Sequence, residues 1–374
     1  MVITRLSWNE RLKNQVAKNT ENSVRRVYVR EFNMYKNEKT LVLQYAQPNL
    51  FRSVYEYLLT WTVFLLNSYL LFKSIHFNFF FILPLIFLQA LIVIRIFILQ
   101  HDCGHYALFK NRLANNLAGM LCSLFTTMTY HFWRDTHATH HRDNGDLHKR
   151  PWVGAIDVFT VEEFNQLTDH EKKRYKLKKN PYVILMFGWL YHFYNYRICT
   201  QSFNKSIMTK NKWVQTHLSN LAQLILFTII AILCSVKFLL LAIILPMVFS
   251  YCVGIFLFFI QHNFESSYFY HQDEQIMARN ELFMKSSFEG SSCFLLPSIL
   301  TWVTGNIGYH HIHHACPKVP FYYLKKMYDT YPELQKVYTI TLKNSFKQFS
   351  YVLYNPATKR MLSWDEYNKM VFVN

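Results

Sequence analysis

Apolar residues in this chain are gathered into long blocks separated by strongly polar stretches. Two blocks, Tyr57–Phe72 and Phe77–Leu99, follow each other across the link KSIH at 73–76, and a second couple, Leu218–Val236 and Phe238–Ile260, meets at SVK, 235–237. Each block is 16 to 23 residues long, near the ~20 that a helix needs to cross a ~30 Å hydrocarbon core. Backbone groups in lipid must find their partners internally, so these blocks are expected to be helices. The links have room only for tight turns. The pattern predicts an all-α integral membrane protein with four transmembrane helices arranged as two hairpins. Thr60, Thr62, Asn67 and Ser68 dilute the first block and make it the weakest span.

Three other stretches, 115–133, 181–196 and 290–309, are apolar but too short or too mixed to cross. Their aromatic residues (Trp133, Trp189, Tyr191, Tyr194, Trp302) suit helices lying in the membrane interface or buried under a cap. The expected organisation is a cytosolic N-terminal segment (1–50), a first hairpin (51–100), a cytosolic segment (101–215), a second hairpin (216–260) and a last cytosolic segment (261–374). Charge sets that orientation. Of 40 Lys and Arg residues only Lys73 and Lys237 lie in the short hairpin turns, and positive residues stay on the cytoplasmic side. Arg95, about one turn before the end of the second span, is expected to snorkel to the headgroups or to pair with an acidic group. The net charge of +17 fits an anionic membrane surface. Nucleic acid is not an expected partner, because no nucleic-acid-binding motif accompanies the charge. Seven scattered cysteines without a CxxC argue against a disulfide framework or zinc knuckle and suit a reducing compartment. The N-terminal residues show no signal-peptide pattern.

The chemistry is concentrated in histidines. HDCGH carries His101 and His105, HATHH carries His137, His140 and His141, and HHIHH carries His310, His313 and His314. His262 follows the fourth apolar block directly. Residues at i, i+3 and i+4 share a helical face, so each box offers at least two imidazoles to a common centre. All nine lie just beyond the same ends of the second and fourth spans or in the segments that follow. Nine imidazoles exceed the three or four ligands of one zinc ion and suit two ions. Such a shell accepts zinc, iron, copper or nickel, and donor chemistry alone does not choose among them. Asp102, Asp135 and Glu265 are candidates to orient ligand rings. His76, His131, His148, His170, His192, His217 and His271 fall outside the ligand spacing and are expected to be solvated or core residues. His311 is expected to face away from its neighbours.

These boxes resemble those of the membrane fatty acid desaturases, in the spacing HxxxH, HxxHH, HxxHH, and are most similar to bacterial acyl-lipid desaturases. The likeness extends to GAIDVFTVEEF (154–164), QHNFE (261–265), GNIGYHHIHH (305–314) and TLKNSFKQFSYVLYNPATKRMLSW (341–364), so it covers about residues 50–365. It implies a cytosolic helical cap holding a di-iron centre, with the nine histidines as metal ligands and catalytic residues. It also implies O2 as co-substrate, two electrons, and a double bond introduced into the acyl chains of membrane lipids. The implied location is multi-pass in a bacterial inner membrane with a cytoplasmic catalytic face. ACPKVPFYYL after the third box departs from the family, whose bacterial members tend to have Asn after the Pro. The HPGG signature of a fused cytochrome b5 domain is absent, which implies a separate electron donor (ferredoxin, flavodoxin or a cytochrome b5-like protein).

Rival readings are distinguishable. A fatty acyl hydroxylase or a carotenoid hydroxylase or ketolase would use the same cluster. A zinc protease needs Glu beside the first His and leaves six box histidines unexplained. A membrane metal transporter would hold its ligands near the bilayer midplane on broken helices.

Overall fold

A computed structural model describes residues 43–150, 157–199, 208–270 and 279–373. His271, most of the segment 1–50, and residues 154–156 of the GAIDVFTVEEF motif lie outside them. Helix α1 (Leu50–Ser74) starts at Asn49, whose side chain accepts from the Arg52 amide, and α2 (Phe79–Gly104) is capped by Asn78 in the same way. The two form an antiparallel hairpin. Then come α3 (Arg112–Ser123), α4 (Tyr130–Asp143), α5 (Val161–Gln166) and α6 (Asp169–Lys178). Asn180 caps α7 (Pro181–Phe193), with Pro181 in the first turn, where its missing N–H costs nothing. The second hairpin is α8 (Lys210–Cys234) and α9 (Val236–His262), joined through Ser235 in a left-handed turn (φ 110°). The π-helical stretch Leu239–Ile244 within α9 precedes Pro246, whose ring cannot complete the ordinary ladder. Short helices α10 (Arg279–Glu289), α11 (Ser298–Val303), α12 (His310–Ala315) and α13 (Phe321–Thr330) follow, and α14 (Trp364–Val373) ends the described chain.

Among the described residues three helices are long and apolar enough to cross a membrane: α2, α8 and α9. Helix α1 does not qualify by composition, and its geometry shows why. Ser53, Glu56, Thr60, Phe64, Asn67 and Leu71, spaced three or four apart, form its buried face. Glu56, Thr60 and Asn67 are paired across the hairpin, while Ser53 lies 3.0 Å from the Tyr322 hydroxyl. Arg95 makes an ion pair with Glu56 and donates from Nε to Thr60 Oγ1 (3.1 Å), with the Trp302 ring 4.0 Å from its guanidinium. Asn67 donates to Gln89, and Gln89 donates to Ser68. Of the two fates expected for Arg95, pairing is the one realised, and its acid lies on α1.

The fold is mainly helical but not all-α. Strand β1 (Phe159–Thr160) pairs in parallel with β4 (Tyr351–Asn355), which pairs antiparallel with β5 (Arg360–Ser363). Strands β2 (Cys293–Leu295) and β3 (Thr339–Thr341) form a second, parallel pair. The segments that supply β1, β4 and β5 are the GAIDVFTVEEF and C-terminal motifs, brought together from distant parts of the sequence. The stretch 290–309 is not one helix: it is split into β2, α11 and a turn. The stretch 115–133 is split between α3 and α4 by the loop 124–129.

Candidate metal centre

The histidines arrive from four elements. His101 lies in the last turn of α2, with His105 as its C-cap; α4 carries His137, His140 and His141; His262 ends α9; α12 carries His310, His313 and His314. The entry to α12 is fixed by a tight turn. Gly305 lies at φ 53°, and a Cβ there would meet Ile98 Cγ2 at 2.4 Å. Asn306 donates to the Phe321 carbonyl (3.0 Å), and Gln261 donates to the Ile307 carbonyl (2.9 Å).

All nine converge, as two groups. His101, His105, His137 and His313 have ligand atoms within 4.8 Å of one another, and so do His140, His262, His310 and His314. His141 sits between the groups, its Nε2 3.1 Å from His137 Nε2 and 3.0 Å from His313 Nε2, its ring 4.1 Å from that of His314. Each HxxHH box is therefore divided between two centres and not spent on one.

The donor chemistry fits two cations. Nε2 atoms face each other at 3.1 Å in the His101–His137 and His140–His262 pairs, and at 2.9 Å in His262–His310. A neutral imidazole has one N–H and one lone pair, so a ring of such contacts is short of protons. His105 Nε2 and both ring nitrogens of His314 are buried with no hydrogen-bond partner among the described residues. A buried, unpaired polar atom costs about 1–3 kcal/mol, and a cation bound by these lone pairs would remove that cost. Burial, reinforced by neighbouring imidazoles, holds His105, His137, His140, His141, His310, His313 and His314 well below their ordinary pKa. The neutral form that binds metal is the form present at pH 7.

Of the three acids expected to orient ligands, one lies against a box histidine. Asp102 lies with Oδ1 3.2 Å from His101 Nδ1, while Oδ2 accepts from the Phe321 amide at 2.7 Å. Asp135 is paired with Arg134 and Lys212, and Glu265 accepts from the Tyr351 hydroxyl and pairs with Arg360. Sequence reading missed two supports. The Gly290 carbonyl accepts from His262 Nδ1 (3.0 Å), and Trp133 stacks on His137 with ring centres 4.6 Å apart. A backbone carbonyl leaves no sequence signal. His311 faces away, its Nε2 donating to the Leu334 carbonyl at 2.8 Å.

A cavity of ≈ 140 Å³ leads to the clusters, touching His101 and His137 of one and His310 of the other. Its walls are mainly apolar, from Val93, Ile94, Phe97 and Ile98 on α2 and Ile255, Leu257 and Phe258 on α9. From Val93 to His101 the α2 wall runs about 12 Å at 1.5 Å per residue. His192, expected to be a solvated or core histidine, lines this cavity.

Apolar helices of membrane-spanning length, two histidine groups that could each hold a metal ion and an apolar cavity beside them fit the class of membrane metalloproteins. Comparison narrows the class. A family model described as fatty acid desaturase matches residues 77–342. A fatty acid desaturase of Bacillus subtilis (strain 168) is 34% identical over 323 residues, 86% of this chain and 89% of the relative. Shorter likenesses include an sn-1 acyl-lipid omega-3 desaturase (ferredoxin) of Synechocystis, 30% identical over 27% of each chain. Another is the acyl-lipid omega-3 desaturase (cytochrome b5) of the Arabidopsis thaliana endoplasmic reticulum, 36% identical over 17% of each. The chain belongs to the fatty acid desaturase family.

Proposed function

We propose that this enzyme desaturates fatty acyl chains at a centre of two irons held by His101, His105, His137, His140, His141, His262, His310, His313 and His314. The observation that carries the reading is the pair of four-histidine clusters facing one apolar cavity. The reaction converts –CH2–CH2– with O2, two electrons and two protons into –CH=CH– and two waters. Iron bound there would supply the activation of O2 and the removal of hydrogen from unactivated carbon. The chain's own residues do the rest. Val93, Ile94, Phe97 and Phe258 exclude water from the acyl chain and hold it extended beneath the histidines. Asp102 keeps the His101 proton on Nδ1, which leaves Nε2 free to bind.

In this reading α1 is the fourth span, with its outward side chains Leu58, Leu65, Leu66 and Leu70 in lipid and its polar face against α2. The two hairpins (51–100 and 216–260) hold the enzyme in a bacterial inner membrane. The segments 1–50, 101–215 and 261–374 lie on the cytosolic side, by the charge rule, and α7, within the second of them, enters the membrane from that side. The substrates are acyl chains of membrane lipids, and a separate one-electron carrier, a ferredoxin, flavodoxin or cytochrome b5-like protein, reduces the centre. The names of the Synechocystis and Arabidopsis relatives support that kind of carrier.

The test is the fatty-acid profile of a desaturase-free host expressing the chain. Mass spectrometry should show products two hydrogens lighter than the saturated chain. Products heavier by one oxygen would assign a hydroxylase instead.

A further inference from the structure

Helix α7 separates the cavity from the outside of the protein. Ile184, Gly188 and His192, and Tyr196 in the π-helical turn Tyr194–Ile198 that continues α7, are spaced four apart and turn inward. Ile184 is buried with Leu257 and Phe259 of α9, and a Cβ on Gly188 would lie 2.8 Å from Ile255 Cδ1. His192 and Tyr196 line the cavity, with the ring of His192 5.8 Å from that of Tyr251. The opposite stripe, Tyr182, Met186, Leu190, Tyr194 and Ile198, is exposed throughout and almost wholly apolar. A partition with this much apolar surface outward belongs in lipid.

The contacts also give its direction. Gly188 meets Ile255 and His192 meets Tyr251, so α7 descends as α9 climbs, and Pro181 lies near the level of His262. Helix α6, which precedes α7, is therefore at the metal end of the spans, where the outer stripe of α7 begins. Lys172 and Lys176 of α6 lie over the rings of Phe164 and Trp364. Lys173, Arg174 and Lys178 are exposed and have no acidic partner among the described residues. Leu177 stands 59% exposed among them. Three unpaired cations around an exposed leucine, beside an apolar stripe, match a membrane surface better than open water. Beyond the partition, Gly254 lines the cavity, and a Cβ there would have nothing within 4 Å.

We propose that Lys173, Arg174 and Lys178 form a docking site for the headgroup phosphate of anionic glycerophospholipids, which selects lipids by headgroup charge and feeds their acyl chains past α7 into the cavity at Gly254. This rests on the desaturase reading above and adds the selected substrate class. The three cations attract the charged headgroup, the outer stripe of α7 carries the acyl chain in lipid, and the open space at Gly254 admits it.

The test reconstitutes the full chain with its metal and an acidic ferredoxin as reductant, in vesicles containing palmitoyl phosphatidylglycerol, palmitoyl phosphatidylcholine, or both. Wild type should desaturate the anionic lipid at least about fivefold faster in the mixture, and the triple variant Lys173→Gln, Arg174→Gln, Lys178→Gln should bring that ratio close to one. Metal content and the KM for ferredoxin should stay unchanged in the variant, because the clustered histidines lie on other elements than α6. A second variant, Gly254→Leu, should slow both lipids alike without altering their ratio. Wild-type activity with no headgroup preference, or a ratio that survives the triple substitution, overturns the proposal. A variant that keeps the ratio but raises the KM for ferredoxin would mean that α6 docks the carrier instead. No desaturation of either lipid by metal-loaded wild type would refute the desaturase reading itself.

Discussion

Replacing Asp102 by Asn should lower metal affinity without unfolding the protein. The carboxylate has two neighbours: Oδ2 accepts from the Phe321 amide at 2.7 Å, and Oδ1 lies 3.2 Å from His101 Nδ1. An amide can preserve only one of these arrangements. If its oxygen keeps the Phe321 N–H, its NH2 group faces His101 and requires Nδ1 to accept. The proton then moves to Nε2, the nitrogen that faces the cluster, 3.1 Å from His137. If the amide turns over, the buried Phe321 N–H meets another donor, at about 1–3 kcal/mol. Either outcome corresponds to a loss of about 10- to 100-fold in affinity, the usual range for a lost ligand-orienting partner. The assay is chelator competition on purified protein, followed by elemental analysis, with thermal unfolding measured alongside. Wild-type affinity in the Asp102→Asn protein would refute the assigned tautomer and the orienting role.

Gly305→Ala should cost about 2–4 kcal/mol, from a left-handed backbone and a Cβ driven into Ile98, read as a lower unfolding temperature of the purified protein. His311→Ala should destabilise by about 2–4 kcal/mol through a cavity and an unpaired Leu334 carbonyl, yet leave metal content per folded chain unchanged. Acidification should weaken the fold, and the sign follows from depressed histidine pKa values. Below about pH 6.5 the unfolded chain takes up protons at His105, His137, His140, His141, His310, His313 and His314 that the folded chain refuses. Stability should be level above about pH 7.5 and fall steadily below about 6.5. Urea titrations of the metal-free protein across that range check it.

The candidate site was largely legible, because ligand spacing is a local property. His137, His140 and His141 had to share one helical face, and they do. What spacing could not reveal is the division of each box. Neighbours at i+3 and i+4 diverge by about 100° around the axis, enough to send His140 to one cluster and leave His141 between the two. The weakness of α1 was also legible, but its cause was not. Averaged hydropathy counts Glu56 and Asn67 as polar whether or not Arg95 and Gln89 meet them. The sheet was missed because β1 and β4 pair across nearly 200 residues and because β4 is buried on both faces at Tyr351–Tyr354, without alternation. His192 gave no ligand signal, and its place on the cavity emerges only once α7 is set antiparallel to α9.

The count of irons in purified wild type and in single variants of each cluster tests the central claim most directly. Protein produced with iron in excess should hold two irons per chain. His313→Ala, in the first cluster, and His140→Ala, in the second, should each fall towards one, insert normally and form no double bonds. One iron in wild type, or full iron and unsaturated products in either variant, would contradict the assignment of these histidines to a two-iron site.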